Sequence, residues 1–411
     1  MQLMNELFDS YSRALPIMAA HVKQENPFDS SVFQIGKETR KGSEIDESVS
    51  EYGLSVADLH KSYDKAVMAA ALDIVRDYLP MSTLTHVGIN ANARSYEHII
   101  LKLLASCTRE SNRMGGSINQ ELKKIAPSLL RRVEEEHGTE YVKYAKSCSF
   151  SSNLAVKSAL ESRSQSPLHM TGMPKSVSLV DYTGEGMLNP NEHAMNVVTG
   201  FIIYNNSGLS LEDSNKAAKS MKMAEKDRIF SAYSGDRKNR RQKPGRALEN
   251  ISYTFDVKGT IGAYRDLQRH RIMTQERKQF GVEHGYVVRD QYEEAGIADD
   301  YREKMERIAE LNKKLARELT PAHAQYSVTF GYNARWYVTM NAREFFHTAE
   351  LRTTPAGHPD YREIVQEMHS MVRNVHPSIA KHMRFVNTEE TKLGRLNSEI
   401  RTAIKTNKIT A

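Results

Sequence analysis

Residues Pro244–Arg271 read PGRALENISYTFDVKGTIGAYRDLQRHR, and the reading of the second half of the chain turns on them. Within the stretch, Ile251–Val257 alternates aromatic and β-branched residues with polar ones, the pattern of a half-buried strand. Gly259–Gln268 follows with helical spacing and ends on Arg269-His270-Arg271. Two guanidinium forks around an imidazole offer charge and hydrogen bonds to a phosphate or to the polar edge of a heterocycle. They equally suit a solvated helix end, where cations are favoured by the dipole.

Working outward, Ser176–Tyr182 alternates like a second short strand, whereas Tyr301–Leu319 carries Tyr301, Met305, Ile308, Leu311 and Leu315 on one helical stripe. A further helix is expected over about Met340–Leu351. On it Arg343 and His347, four apart, share one face, while Asn341 and Arg352, eleven apart, share another. Such a helix can touch two ligands; a surface helix with Asn341 as a simple N-cap is the other reading. The second half is therefore mixed α and β. Upstream, helix dominates residues 1–130, notably Ser55–Tyr78, with Asn26–Ser50 expected as an exposed loop or disordered insert. The Ser-rich run 147–175 has linker composition. The expected domains are 1–146, a linker at 147–175, a second domain at 176–395 and a tail at 396–411.

An internal repeat supports this division. Asn92-Ala93-Arg94 with His98 recurs as Asn341-Ala342-Arg343 with His347. Downstream, Pro127-Ser128 is matched by Pro377-Ser378, so the Asn-to-Pro separations are 35 and 36 residues. A match held in register over that length points to a tandem duplication whose first copy lacks the strand and the Arg-His-Arg motif.

Composition narrows the function classes. The 411 residues, 39% hydrophobic and 26% charged with a mean hydropathy of -0.58, describe a globular chain of two domains. No run approaches the roughly 18 apolar residues of a spanning helix, so a cytoplasmic protein without a membrane partner is expected. Cys107 and Cys148 have neither disulfide-framework nor metal spacing, and no metal is expected. A net charge of +6 suits an anionic small ligand. The densest basic run, Asp236–Arg246, reads as a solvated loop; without interleaved aromatics it lacks base-stacking platforms, and nucleic acid is not expected as the partner.

Pro244–Arg271 and Thr339–Arg352 (TMNAREFFHTAELR) together resemble the flavin-dependent thymidylate synthases. In that family an acidic residue, here Glu249, precedes a Tyr/Phe-Thr-Phe strand and an Arg-His-Arg motif, and Asn-x-Arg follows later. The similarity extends over residues 176–385, with a half-length copy at about 60–130. It implies an α+β fold with a sheet flanked by long helices, in a partial tandem duplication, and active sites formed between protomers of a homotetramer. A tandem chain would then form a homodimer. The implied reaction is methylation of dUMP to dTMP, with FAD as cofactor and methylenetetrahydrofolate and NADPH as co-substrates, and without a cysteine nucleophile.

The resemblance places Glu249, Arg269, His270, Arg271, Asn341, Arg343, His347 and Leu351 at FAD. It places Arg76, Asp266, Gln268, Arg269, Gln279 and Arg352 at the nucleotide, with Arg352 as the catalytic cation stabilising charge on the pyrimidine. Arg76 lies sixteen residues before Asn92, the family's spacing for a phosphate-binding arginine, which suggests a site composed from both copies. Three positions depart from the pattern. Gln279 and Gly281 stand where the family has Ser and Arg, and Asp266 stands where it favours Gln, an anion expected to repel a phosphate if unpaired. These departures leave room for a different pyrimidine or pterin substrate, or for a non-catalytic flavin- or nucleic-acid-binding role.

Overall fold

The computed structural model describes residues 2–161 and 176–410. The chain is α+β and divides into two compact units: Met1–Met81, Lys175–Asn312 and Tyr326–Ala411 form the first, Ser82–Pro174 and Lys313–Gln325 the second.

A small hairpin, β1 (Val32–Ile35) and β2 (Glu38–Lys41), precedes the four-stranded antiparallel sheet of the first unit. That sheet has β3 (Val177–Tyr182), β4 (Ser252–Thr260), β5 (Thr274–Arg277) and β6 (Asn333–Asn341) in the order β3-β4-β6-β5. The alternation read in Ile251–Val257 dictates which face is buried. Tyr253, Phe255 and Val257 lie opposite Met340, Val338 and Trp336, and all six are buried. The other face keeps the polar partners, with Thr254 and Thr339 hydroxyls 2.9 Å apart and Arg335 Nε donating to Asp256 at 3.0 Å. The helices Ala342–Arg352 and Pro359–Val375 cover the apolar face; Phe345 stacks on Phe255 with ring centres 5.6 Å apart.

Several expectations need correction. Asn26–Ser50 is an ordered hairpin followed by short 3₁₀ turns, because Phe33, Ile35 and Val49 are buried in the main core and Phe28 stacks on His60. The expected tail is the helix Leu396–Thr410, whose Leu396 and Ile400 are buried and which packs on the helix Val56–Val75. The domain boundary also moves. Leu7, Met18, Leu59, Tyr63 and Val67, from the helices Gln2–Glu25 and Val56–Val75, belong to one hydrophobic core with the sheet, so residues 1–81 fold with the second half. The Ser-rich stretch is helical through residue 161, as the end of Glu136–Glu161; the remainder of the expected linker lies outside the described residues.

The second unit is helical, with Ala93–Ala105, Arg109–Lys123, Pro127–Leu130 and Glu136–Glu161 around a small core of Ile100, Leu130 and Val133. The repeated motifs adopt repeated geometry. Asn92 (φ −76°, ψ 165°) caps its helix through Ser95 N at 2.9 Å; Asn341 (φ −74°, ψ 163°) does so through Glu344 N, also at 2.9 Å. Ala126 and His376, each before a proline that opens a short helix, have similar φ/ψ values of −139°/59° and −129°/60°. Loss of the Asn341 cap in Asn341→Ala is expected to cost about 1 kcal/mol, read as a lowered unfolding midpoint.

His376 ties the sheet to this turn. Its Nε2–H donates to the Thr183 carbonyl at 3.0 Å, so Nδ1 accepts from the Tyr253 hydroxyl at 3.0 Å. Burial pushes its pKa down to about 4. The unfolded chain, with an imidazole near 6.5, therefore takes up the proton first. Stability is full above about pH 6.5 and falls as pH drops toward 4, by up to about 3 kcal/mol from this residue. Urea unfolding should show that slope in the wild type and a shallower one in His376→Gln; equal slopes would remove His376 as the cause.

Candidate functional site

Strand register assembles the site. Because β4 and β6 are antiparallel with Ser252 opposite Asn341, the residues just before β4 lie beside the first turn of the helix Ala342–Arg352; Ala342 N donates to Ile251 O at 2.9 Å. On the other side Thr274 of β5 lies opposite Thr339, so the segment preceding β5 also approaches that turn. Glu249 and His270, 21 residues apart in sequence, thus bracket one helix N-terminus.

Arg343 bonds to the segment before β4 at two points. Its Nη1 donates to Glu249 Oε1 at 2.9 Å and its Nε to the Pro244 carbonyl at 2.9 Å. Glu249 also takes Arg246, and hydrogen bonds from Arg246 and then Arg343 hold its carboxyl below the usual range. His270 is sequestered, its side chain 4% exposed. Arg352 Nε lies 2.8 Å from His270 Nε2, and since a guanidinium only donates, that nitrogen carries the lone pair. The proton therefore sits on Nδ1 and is donated to Glu344 Oε1 at 3.0 Å. Glu344, which is buried, fixes the tautomer through His270 and so orients Arg352. The motifs read in the sequence do not include it. Three residues after the Asn341 cap, it has the local pattern of a solvated carboxylate.

His347 lies across from His270, ring centres 5.6 Å apart. Burial, reinforced by the charge of Lys243, lowers its pKa, which keeps the ring neutral at pH 7 and able to donate or accept. His270, Glu344 and His347 place potential ligand atoms within 4.8 Å of one another, a clustering that the sequence did not reveal. A metal would have to displace Arg352 from His270; the arrangement as built is a hydrogen-bond relay.

The residues expected at the nucleotide divide. Arg76, at the end of the Val56–Val75 helix, meets Asp266 at 3.5 Å, while its Nε and Nη2 are buried against Gly262 with no hydrogen-bond partner among the described residues. Asp266 is also 3.2 Å from Arg269, so it is doubly paired rather than the bare anion its place in the sequence suggested. Arg269, Gln268, Arg271 and Gln279 are exposed, and Leu351 and Gly281 are half-buried. Gln279 lies beyond β5, and no hydrogen bond among the described residues draws it to the relay.

Among the described residues no helix is long and apolar enough to cross a membrane. Residues 179–378 match the family model described as thymidylate synthase complementing protein. Over 407 residues the chain is 32% identical to a UPF0159 protein of Thermoplasma acidophilum, covering 98% of this chain and 76% of that one. It is 31% identical to a UPF0159 protein of Chlamydia pneumoniae over 397 residues, 96% of this chain and 67% of the relative. A solved UMP/dUMP methylase, PolB from Streptomyces cacaoi, aligns with a TM-score of 0.41 and 17% identity over 51% of this chain and 93% of its own, too slight a likeness to argue from. The chain belongs to the thymidylate synthase complementing protein family.

Proposed function

We propose that the protein is a FAD-dependent thymidylate synthase-like enzyme that methylates dUMP to dTMP with methylenetetrahydrofolate and NADPH. The observation that carries this reading is the relay Glu344–His270–Arg352, set on the same helix as Asn341, Arg343 and His347.

The donor set fits a flavin. Asn341 spends its Oδ1 on the cap and keeps its amide N–H groups; His347 is a neutral imidazole with no hydrogen bond among the described residues; Arg343 keeps Nη2. An amide at the helix cap, and a guanidinium and an imidazole one turn apart beyond it, offer donors to the polar edge and phosphate of such a cofactor. When bound, FAD would supply the redox chemistry of methylene transfer and reduction. The protein's part is positioning and charge. Glu344 holds His270, and His270 in turn holds the Arg352 Nε. Both Arg352 Nη groups are left to face negative charge as it develops on a pyrimidine oxygen. Arg76 and the exposed Arg269 would receive the nucleotide phosphate, Asp266 holding both in place. A homodimer of tandem chains would complete the site.

A second reading, a different pyrimidine or pterin substrate, is favoured by Gln279 and Gly281, which supply neither the hydroxyl nor the cation of the family pattern. Product chromatography separates the two. Protein incubated with dUMP, methylenetetrahydrofolate, FAD and NADPH should form dTMP; flavin oxidation with no dTMP would transfer the case to the second reading.

A further inference from the structure

The basic run Asp236–Arg246, expected to be a solvated loop, is pinned along the site helix. At one end Arg237 is buried, its Nη1 donating to Glu350 Oε1 at 2.8 Å and its guanidinium lying 5.6 Å from the Phe346 ring centre and 5.2 Å from that of Phe385. At the other end the Pro244 carbonyl accepts from Arg343 Nε at 2.9 Å. Arg343 and Glu350 are seven residues apart on one helix, about 10 Å along its axis. Residues 237 and 244 meet the helix at 350 and 343, so the loop runs antiparallel to it. Internal bonds stiffen the middle: Arg241 N donates to Asn239 Oδ1 at 3.0 Å, and Lys238 N to Gln242 Oε1 at 2.5 Å. A Cβ on Gly245 would stand 2.1 Å from the Tyr233 hydroxyl, so the backbone there closes tightly on its neighbour.

Most charges in this region are matched. Arg237 has Glu350, Lys238 and Arg384 share Asp236, and Arg246 and Arg343 share Glu249. Arg240, Arg241 and Lys243 have no carboxylate partner among the described residues. Lys243 and Arg240 are close enough for their charge to act on His347, midway between the two anchors. Three unmatched cations in four residues, two of them guanidinium forks, held rigidly beside a neutral imidazole, make a receptor for a ligand of two or more negative charges.

We propose that Arg240, Arg241 and Lys243 form a phosphate rail beside the site helix that grips the diphosphate of a dinucleotide ligand, which on the flavin reading above is the diphosphate of FAD. The rail selects the dinucleotide over flavins that lack the diphosphate. It lies outside the Arg-His-Arg and Asn-x-Arg motifs, and its anchors Arg237 and Glu350 position it without touching the ligand.

The test compares wild type with the triple variant Arg240→Gln, Arg241→Gln, Lys243→Gln, and with Lys243→Gln alone, by titrating FAD, riboflavin, inorganic pyrophosphate and single-stranded DNA at low and physiological salt. Circular dichroism checks that the variants are folded. The triple variant should lose FAD affinity by at least about tenfold and lose pyrophosphate binding, while riboflavin affinity stays within about twofold; Lys243→Gln should fall between. Unchanged pyrophosphate binding in the triple variant, or equal weakening of FAD and riboflavin, overturns the rail. A loss confined to salt-sensitive binding of single-stranded DNA overturns it too and makes the loop a nucleic-acid contact. Pyrophosphate binding that the triple variant loses, in a wild type that takes up neither flavin, upholds the rail and overturns the flavin reading instead.

Discussion

Arg289→Ala should destabilise the first unit by about 3–5 kcal/mol, the range that breaking a buried ion pair costs. Arg289 donates from Nε to Asp77 Oδ2 at 2.7 Å, and from Nη1 and Nη2 to the two oxygens of Asp360 at 2.8 and 2.9 Å. One side chain therefore neutralises two buried carboxylates, and removing it leaves both facing each other. They respond to the shared cation differently. Asp77 is fully buried, its Oδ1 has no partner among the described residues, and burial wins, raising its pKa. Asp360 is also raised by burial, but the bidentate arginine and the Thr260 hydroxyl at 2.7 Å outweigh it and hold the carboxyl well below its usual range. Urea unfolding should show the loss, and Asp77→Asn in the Arg289→Ala background should recover part of it by removing one of the facing anions. A loss below about 1 kcal/mol would mean that the network is satisfied by water and contributes little.

Arg352→Ala should lower kcat by about 10²–10³-fold while flavin uptake changes little. The guanidinium is aimed through His270, itself held by Glu344, so its charge is oriented before substrate arrives and costs little to reorganise. Arg352→Lys should not restore activity, because an ammonium gathers its donors on one nitrogen and cannot contact His270 Nε2 while presenting a planar fork of two separate Nη groups to the pyrimidine. Turnover measured beside a flavin titration separates the outcomes. Parallel loss of flavin binding and kcat would make Arg352 a cofactor contact rather than the cation that acts on the pyrimidine.

What sequence made legible was local. The Ile251–Val257 alternation, the Asn-Ala-Arg caps and the Arg-His-Arg run each carry their signal within a few residues, and each sits in or beside the element expected of it. What stayed hidden depended on contacts far along the chain. Glu344 meets His270 from 74 residues away, and Glu350 meets Arg237 across 113. Neither carboxylate differs in local pattern from a solvated one. Composition misled at Asn26–Ser50, where Ser, Gly and charge outnumber the Phe33 and Ile35 that decide burial, and again at 396–411, where Leu396 and Ile400 repeat at helical spacing within a polar segment. Of the two partners of Asp266, Arg269 lies three residues on, within helical reach, but Arg76 comes from 190 residues upstream and could not be read.

The central claim is tested most directly by the visible spectrum of the purified protein after incubation with FAD, followed by titration with dUMP. The account predicts a retained flavin band that shifts as dUMP is added, as expected when a pyrimidine lies against the flavin. Protein that emerges from FAD loading and desalting with no flavin band would contradict it.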